Sequence, residues 1–242
     1  MKKPIVLIIM DGYGINKNKI GNAIALARKP NLNTYFKKFP NTTLSASGES
    51  VGLLKGQMGN SEVGHLNIGA GRIVYQNSLR NSNSIKDGSF FTNKEFLELI
   101  KCCQINKKPL HLFGLISDGG VHSLNHHLYS LLLLARKNKI KNVYIHCVLD
   151  GRDAPPRSAL KYLRDLNKKI KEIGVGKIAT VMGRYYAMDR DSVWSRTKKA
   201  YDSMVLSRGN KAKSFEEAIK LSYQKNVSDE FFEPTIILEK NK

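Results

Sequence analysis

Polar and apolar positions along the chain fall into two periods. Strand-length runs rich in Ile, Val and Leu occur at residues 5–10, 109–116, 142–149 and 177–182. Such runs suit strands buried on both faces of a parallel sheet. The last three each lead into a polar loop and then a segment of helical period, at 124–137, 157–173 and 192–205. Strand, loop and helix in series predict an α/β fold with parallel strands and right-handed crossovers. Helices are also expected at 93–104 and 215–223, and across 23–39 with a break at Pro30. Shorter strand candidates lie at 42–47, 72–76 and 233–238. Residues 77–84 turn polar, rich in Ser and Asn, which suggests a domain boundary near 76–79.

One stretch departs from both periods. Residues 56–71 carry glycines at 56, 59, 64, 69 and 71, with Ser61 between Asn60 and Glu62. A helix is expected over 63–68, with Asn60 or Ser61 at its N-cap. Unpaired N–H groups and the helix dipole favour an anion there. Ser61 therefore reads either as an acceptor of a phosphoryl group or as a capping serine. The stretch lacks the Gly-Lys-Ser/Thr ending of a P-loop, so nucleotide binding is not supported. Asp11 follows the first apolar run directly, in Asp11-Gly-Tyr-Gly. It is placed either for metal or phosphate chemistry at a strand end, or as an ordinary Asp-Gly turn.

Composition narrows the classes. The chain has 242 residues, a net charge of +20 and 41% hydrophobic residues, enough for a sizeable core. The lysines are dispersed among many Asn and Ile residues rather than clustered with aromatics, so no nucleic-acid surface is expected. No apolar run reaches membrane-spanning length, so no membrane partner is expected. Cys102, Cys103 and Cys147 form no C-x-x-C pair, which suggests reduced thiols and a cytoplasmic protein. Trp194 is expected to pack in the core.

The loops after the three later strands carry polar groups of one kind. The first offers Asp118 and His122, the second Arg152 and Asp153, the third Arg184 and Arg190, with Arg196 beyond. In a parallel sheet these loops share an edge. Arginines grip phosphate or carboxylate in bidentate fashion, and a histidine beside them can bond the anion or move a proton. The groups together describe a site for a small, multiply anionic substrate.

Five ordered motifs then carry a resemblance over most of the chain: Asp11-Gly-Tyr-Gly, Gly59-Asn-Ser-Glu-Val-Gly-His, Ser117-Asp-Gly-Gly-Val-His-Ser, Asp150-Gly-Arg-Asp and Gly183-Arg-Tyr-Tyr-Ala-Met-Asp-Arg. Together they resemble the cofactor-independent (2,3-bisphosphoglycerate-independent) phosphoglycerate mutases. The resemblance implies an alkaline-phosphatase-like domain with an α/β transferase domain inserted into it, both incomplete in this chain. Residues 1–76 would open the phosphatase domain, and 77–242 would form the truncated transferase domain. It implies interconversion of 3-phosphoglycerate and 2-phosphoglycerate through a phosphoserine intermediate, with two divalent ions, usually manganese. Ser61 matches the phosphoryl acceptor, and Asp11 and Ser61 match ligands of one metal. His122, Arg152, Asp153, Arg184 and Arg190 match substrate-binding positions. Leu124 departs from the family pattern, where a histidine is common. The remaining metal ligands have no counterpart here, so a complementary C-terminal chain is the expected partner. The other readings are a fragment inactive alone and another metal-dependent phosphotransferase of the alkaline phosphatase superfamily.

Overall fold

The computed structural model describes residues 3–238, which divide into two compact units, the first ending at Leu79 and the second beginning at Arg80.

In the first unit the helices are α1 (Ala23–Leu26), α2 (Pro30–Lys38), α3 (Ser61–Ala70) and the start of α4 (Asn77–Asp87). Pro30 opens α2 at its first position, where its missing N–H costs nothing. Asn60, not Ser61, caps α3: its side chain accepts the Val63 N–H at 3.0 Å. A small core of Val51, Leu53 and Val63 lies beneath α3. Asn67 ties the following segment to it, donating to the Val51 carbonyl at 3.0 Å and accepting from the Val74 N–H at 2.7 Å.

The expected strands at 5–10, 42–47 and 72–76 do not form. Ile5 is 97% exposed, and its neighbours through Met10 are exposed as well. A strand exists only when its N–H and C=O groups find a partner strand. No described segment of residues 3–79 is a strand, so this apolar run has nothing to pair with.

The second unit is built on a mainly parallel sheet. It contains α5 (Lys94–Ile105), β1 (Leu110–Ile116), α6 (Asn125–Lys137), β2 (Val143–Leu149), α7 (Ala159–Ile173) and β3 (Lys177–Gly183). There follow α8 (Arg184–Ala187), α9 (Trp194–Val205), β4 (Asn210–Ala212), α10 (Phe215–Gln224) and β5 (Thr235–Ile237). The strand order is β1-β2-β3-β5-β4. β1, β2 and β3 are parallel neighbours, so their carboxyl ends share one edge. β5 runs antiparallel to β3 and parallel to β4.

Alternation along the strands divides the core between the two faces. Val143, Ile145, Cys147 and Leu149 pack in the larger cluster with residues of α5, α6, α7 and α10. Leu115, Val148 and Met182 point to the other face, against Ala200, Tyr186 and Met204. Trp194, expected in the core, opens α9 on the outside and is 75% exposed. Its position in the first turn places it off the apolar stripe that Ala200 and Met204 supply.

A short strap at Asp229–Phe231, one turn of 3-10 helix, crosses the ends of β2 and β3. Backbone meets backbone at two glycines. A Cβ on Gly151 would lie 2.7 Å from the Glu230 nitrogen, and one on Gly183 would lie 2.2 Å from the Glu230 carbonyl oxygen. Gly183 N–H also donates to the Phe232 carbonyl at 2.7 Å. The fully buried Asp229 anchors the strap by accepting the Ser158 and Ala159 N–H groups at the start of α7, at 2.8 and 2.9 Å. Tyr223 donates to its other oxygen at 2.6 Å.

Candidate functional site

The predicted site residues lie in both units.

In the first unit, Asp11 sits in the turn after the apolar run, and Ser61 is the first residue of α3. The Ser61 hydroxyl donates to Asp11 Oδ2 at 2.7 Å, across a separation of 50 residues. Both side chains are exposed. His65, one helical turn on, places Nδ1 2.9 Å from the Ser61 carbonyl oxygen and 3.3 Å from Ser61 Oγ. A carbonyl oxygen only accepts, so Nδ1 carries the hydrogen there and is not free to take one from Oγ. Asp11 is thus the acceptor that orients the hydroxyl. No sequence argument singled out His65 as a site residue; its i+4 spacing from Ser61 was the available signal.

Two oxygen donors side by side suit a hard divalent cation. The described residues include no cluster of three or more His, Cys, Asp or Glu groups that could complete such a site. The chain's own donors therefore fit part of a metal shell.

In the second unit the three strand ends meet around Asp150. This buried carboxylate accepts from Ser117 Oγ at 2.6 Å, from the Asp153 N–H at 2.8 Å, from the Arg152 N–H at 3.2 Å and from Arg184 Nη1 at 2.7 Å. Burial acts to raise its pKa, but the hydrogen bonds outweigh it and hold the carboxyl below its ordinary value. Arg184 follows β3 directly and is 8% exposed, with Nη1 also bonded to Asp153 Oδ2 at 2.6 Å. Burial works against its charge, yet the two carboxylates raise its pKa. His122 Nε2 stands 3.7 Å from Asp153 Oδ2.

In front of this buried network is a cavity of about 170 Å³, its wall formed by His122, Arg152, Arg184, Arg190, Arg196 and Glu230, among others. That volume suits a small ligand and is well below the several hundred Å³ typical of drug-sized ones. The arginines reach it from β2 and β3 because a parallel sheet aligns its strand ends. Arg196 comes from α9, lies 4.0 Å over the Tyr185 ring and pairs with Asp189 and Asp191 at 2.9 and 3.0 Å. Arg190 makes no hydrogen bond or ion pair among the described residues. Arg152 Nη1 stands 3.5 Å from Glu230 Oε1 on the strap.

Of the predicted substrate residues, His122, Arg152, Arg184 and Arg190 line this cavity, and Asp153 braces it from behind. Asp118 does not join them. Its carboxylate accepts the Tyr162 hydroxyl, whose pKa burial and this bond push up to about 12, and lies 3.6 Å from Lys161 Nζ. Leu124 immediately precedes α6, at its N-cap. Glu230 was missed, because it comes from a strap remote in sequence with no motif around it.

A family model for the N-terminal part of BPG-independent phosphoglycerate mutase matches residues 82–242. The 2,3-bisphosphoglycerate-independent phosphoglycerate mutase of Acetivibrio thermocellus is 59% identical over 237 residues, covering 98% of this chain and 46% of the relative. That of Clostridium kluyveri is 56% identical over 241 residues, covering 100% of this chain and 47% of the relative. Among solved structures, Leishmania mexicana phosphoglycerate mutase at low cobalt concentration superposes with a TM-score of 0.75 at 31% identity. That match covers 96% of this chain and 44% of the other. The chain spans slightly under half the length of the relatives it matches.

Proposed function

The chain belongs to the BPG-independent phosphoglycerate mutase family, and from that premise we propose that it serves interconversion of 3-phosphoglycerate and 2-phosphoglycerate. Ser61 is the group that takes the phosphoryl. The observation that carries this is the Ser61 hydroxyl held 2.7 Å from Asp11 Oδ2 at the start of α3. Asp11 accepts the hydroxyl hydrogen and so turns an Oγ lone pair outward. In the transfer the bond from Oγ to phosphorus forms as that from phosphorus to the glycerate oxygen breaks, and the proton given up by Oγ ends on that departing oxygen as its hydroxyl. The reverse transfer to the neighbouring hydroxyl restores serine.

Asp11 Oδ2 and Ser61 Oγ are the oxygens that would hold a divalent ion, manganese on the family's pattern. Such an ion lowers the hydroxyl pKa and offsets phosphoryl charge when bound. The rest of the donor set comes from a complementary segment outside the 242 residues. His122, Arg152, Asp153, Arg184 and Arg190 form the substrate side. Arg152 and Arg190 carry the cations most open to a ligand, while Arg184 and Asp153 brace the loops that present them. Holding glycerate by its carboxylate keeps it from escaping while it turns. Residues 1–76 and 77–242 act as the phosphatase-like and transferase parts, in a soluble cytoplasmic enzyme.

The test is phosphoryl trapping. The chain is incubated with 3-phosphoglycerate and manganese, with and without the C-terminal part of a relative, and peptides are mapped by mass spectrometry. Phosphate on Ser61 and rapid turnover are expected only with the complementing part, and Ser61→Ala should abolish both. Brisk turnover by the 242-residue chain alone would overturn the need for a complement. Unchanged turnover in Ser61→Ala with the complement present would remove Ser61 as nucleophile.

A further inference from the structure

The arginines around the cavity are not equally available. Arg184 is buried between Asp150 and Asp153 at 2.7 and 2.6 Å. Arg196 is held by Asp189 and Asp191 at 2.9 and 3.0 Å and lies on Tyr185. Neither can swing to a ligand without uncovering a carboxylate it already neutralises. Arg152 differs. Its guanidinium is more than half exposed, and its one ion pair is longer, 3.5 Å to Glu230 Oε1. Glu230 itself is mostly covered, 22% exposed at the side chain.

Glu230 is an odd residue to find there. A carboxylate in the wall of an anion cavity repels the ligand, and among the described residues its side chain pairs with Arg152. Its backbone is closely packed and anchored. Gly151 and Gly183 press against the strap within distances that exclude a Cβ. Asp229, one residue before it, is tied to the start of α7 and to Tyr223. A carboxylate fixed in place faces an arginine on an exposed loop, and at 3.5 Å that pairing is longer than those of Arg184 and Arg196.

We propose that Glu230 is a positioning residue that occupies Arg152 while the cavity is empty and yields it to the ligand's anionic group on binding. This deepens the proposed function and rests on its reading of the cavity as the phosphoglycerate site. The pair keeps the guanidinium at the wall rather than in solvent, so little side-chain freedom is lost when the ligand arrives. It also competes with the ligand for the same cation. A substrate that must leave after each turnover is thereby held less tightly than its charge would otherwise dictate. Arg190, with no carboxylate partner among the described residues, supplies the attraction that is not contested.

The test is a double-substitution cycle read by calorimetry at fixed salt, with 3-phosphoglycerate as the probe and inorganic phosphate beside it. Wild type, Glu230→Gln, Arg152→Ala and the double variant of the 242-residue chain are compared. Glu230→Gln should bind 3-phosphoglycerate about threefold to fivefold more tightly, the range for releasing a partly exposed ion pair. In the Arg152→Ala background the same substitution should change affinity less than about twofold. Equal tightening in both backgrounds would mean plain repulsion by Glu230 and overturn the exchange. Unchanged or weaker binding by folded Glu230→Gln would overturn it as well. If Glu230→Gln fails to fold, Glu230→Asp, which keeps the charge but draws it back from Arg152, replaces it with the same expected sign. Absence of 3-phosphoglycerate binding to wild type would overturn the substrate reading itself. Binding that Glu230→Gln leaves untouched overturns only the role of Glu230.

Discussion

Gly183→Ala tests the seam between β3 and the strap. Its φ of −74° is one that alanine adopts freely, so the perturbation is purely steric. The added Cβ would stand 2.2 Å from the Glu230 carbonyl oxygen, 2.6 Å from the Phe232 nitrogen and 2.7 Å from the Asp229 carbonyl oxygen. All three are backbone atoms, so no side chain can rotate away. The strap must retreat by roughly 1 Å to reach ordinary contact, which overpacking data put at about 1–3 kcal/mol. That movement also stretches the 2.7 Å bond from Gly183 N–H to the Phe232 carbonyl. Leaving a buried pair unmade costs about 1–3 kcal/mol. Gly183→Ala should therefore destabilise the second unit by about 2–6 kcal/mol. The control is Gly88→Ala. Gly88 has φ +87°, and a Cβ there would meet no heavy atom within 4 Å, so only the left-handed strain of about 1–2 kcal/mol applies. Urea unfolding of both variants, with the slope checked for constancy, measures the difference. Because Arg184 follows Gly183 and Glu230 rides on the strap, Gly183→Ala should weaken 3-phosphoglycerate binding too. A Gly183→Ala midpoint equal to or above that of Gly88→Ala, at unchanged slope, would refute the reasoning.

Asp150→Asn should cost about 2–4 kcal/mol near neutral pH, because the buried Arg184 loses one of its two carboxylates. The folded pKa of Asp150 lies below its ordinary 3.8, so its contribution is present above 3.8 and is lost as pH falls through the folded value. The stability gap between wild type and Asp150→Asn should therefore narrow in acid, and a pH-independent gap would contradict the assignment. Leu163→Ala, at a side chain with 0% exposure in the larger core, should lower stability by about 2–5 kcal/mol. Trp194→Ala, at 75% exposure, should stay within about 0.5 kcal/mol, and a larger loss in thermal or urea unfolding would return Trp194 to the core.

Much of the second unit was legible in the chain. β1, β2 and β3 begin and end within two residues of the apolar runs that predict them. Each run is punctuated by Ser-Asp-Gly, Asp-Gly-Arg or Gly-Arg, so the strand ends and the polar loops were marked together. The helix carrying Ser61 was marked too, by Asn60 ahead of an apolar segment. Other features left weaker traces. α8 lies inside a loop whose residues also suit a turn, and β4 is a three-residue strand with no apolar alternation. β5 lies parallel to β4 after α10, as a helix crossover predicts, but its antiparallel pairing with β3 joins segments remote in sequence that no local pattern marks.

The sequence by itself determined which residues can bury, where the parallel strands stop and which charged groups stand at those stops. Those are local properties, set by side-chain chemistry over a few consecutive positions. Only the tertiary structure decided which of the charges neutralise one another. It joined Asp11 to Ser61, put Arg184 between Asp150 and Asp153, turned Asp118 away to Tyr162 and brought Glu230 to Arg152. It also decided that the apolar run at 5–10 is no strand within this chain. The reason is the same throughout: hydrogen bonds, ion pairs and strand ladders need a partner, and distance along the chain does not say which partner will be near.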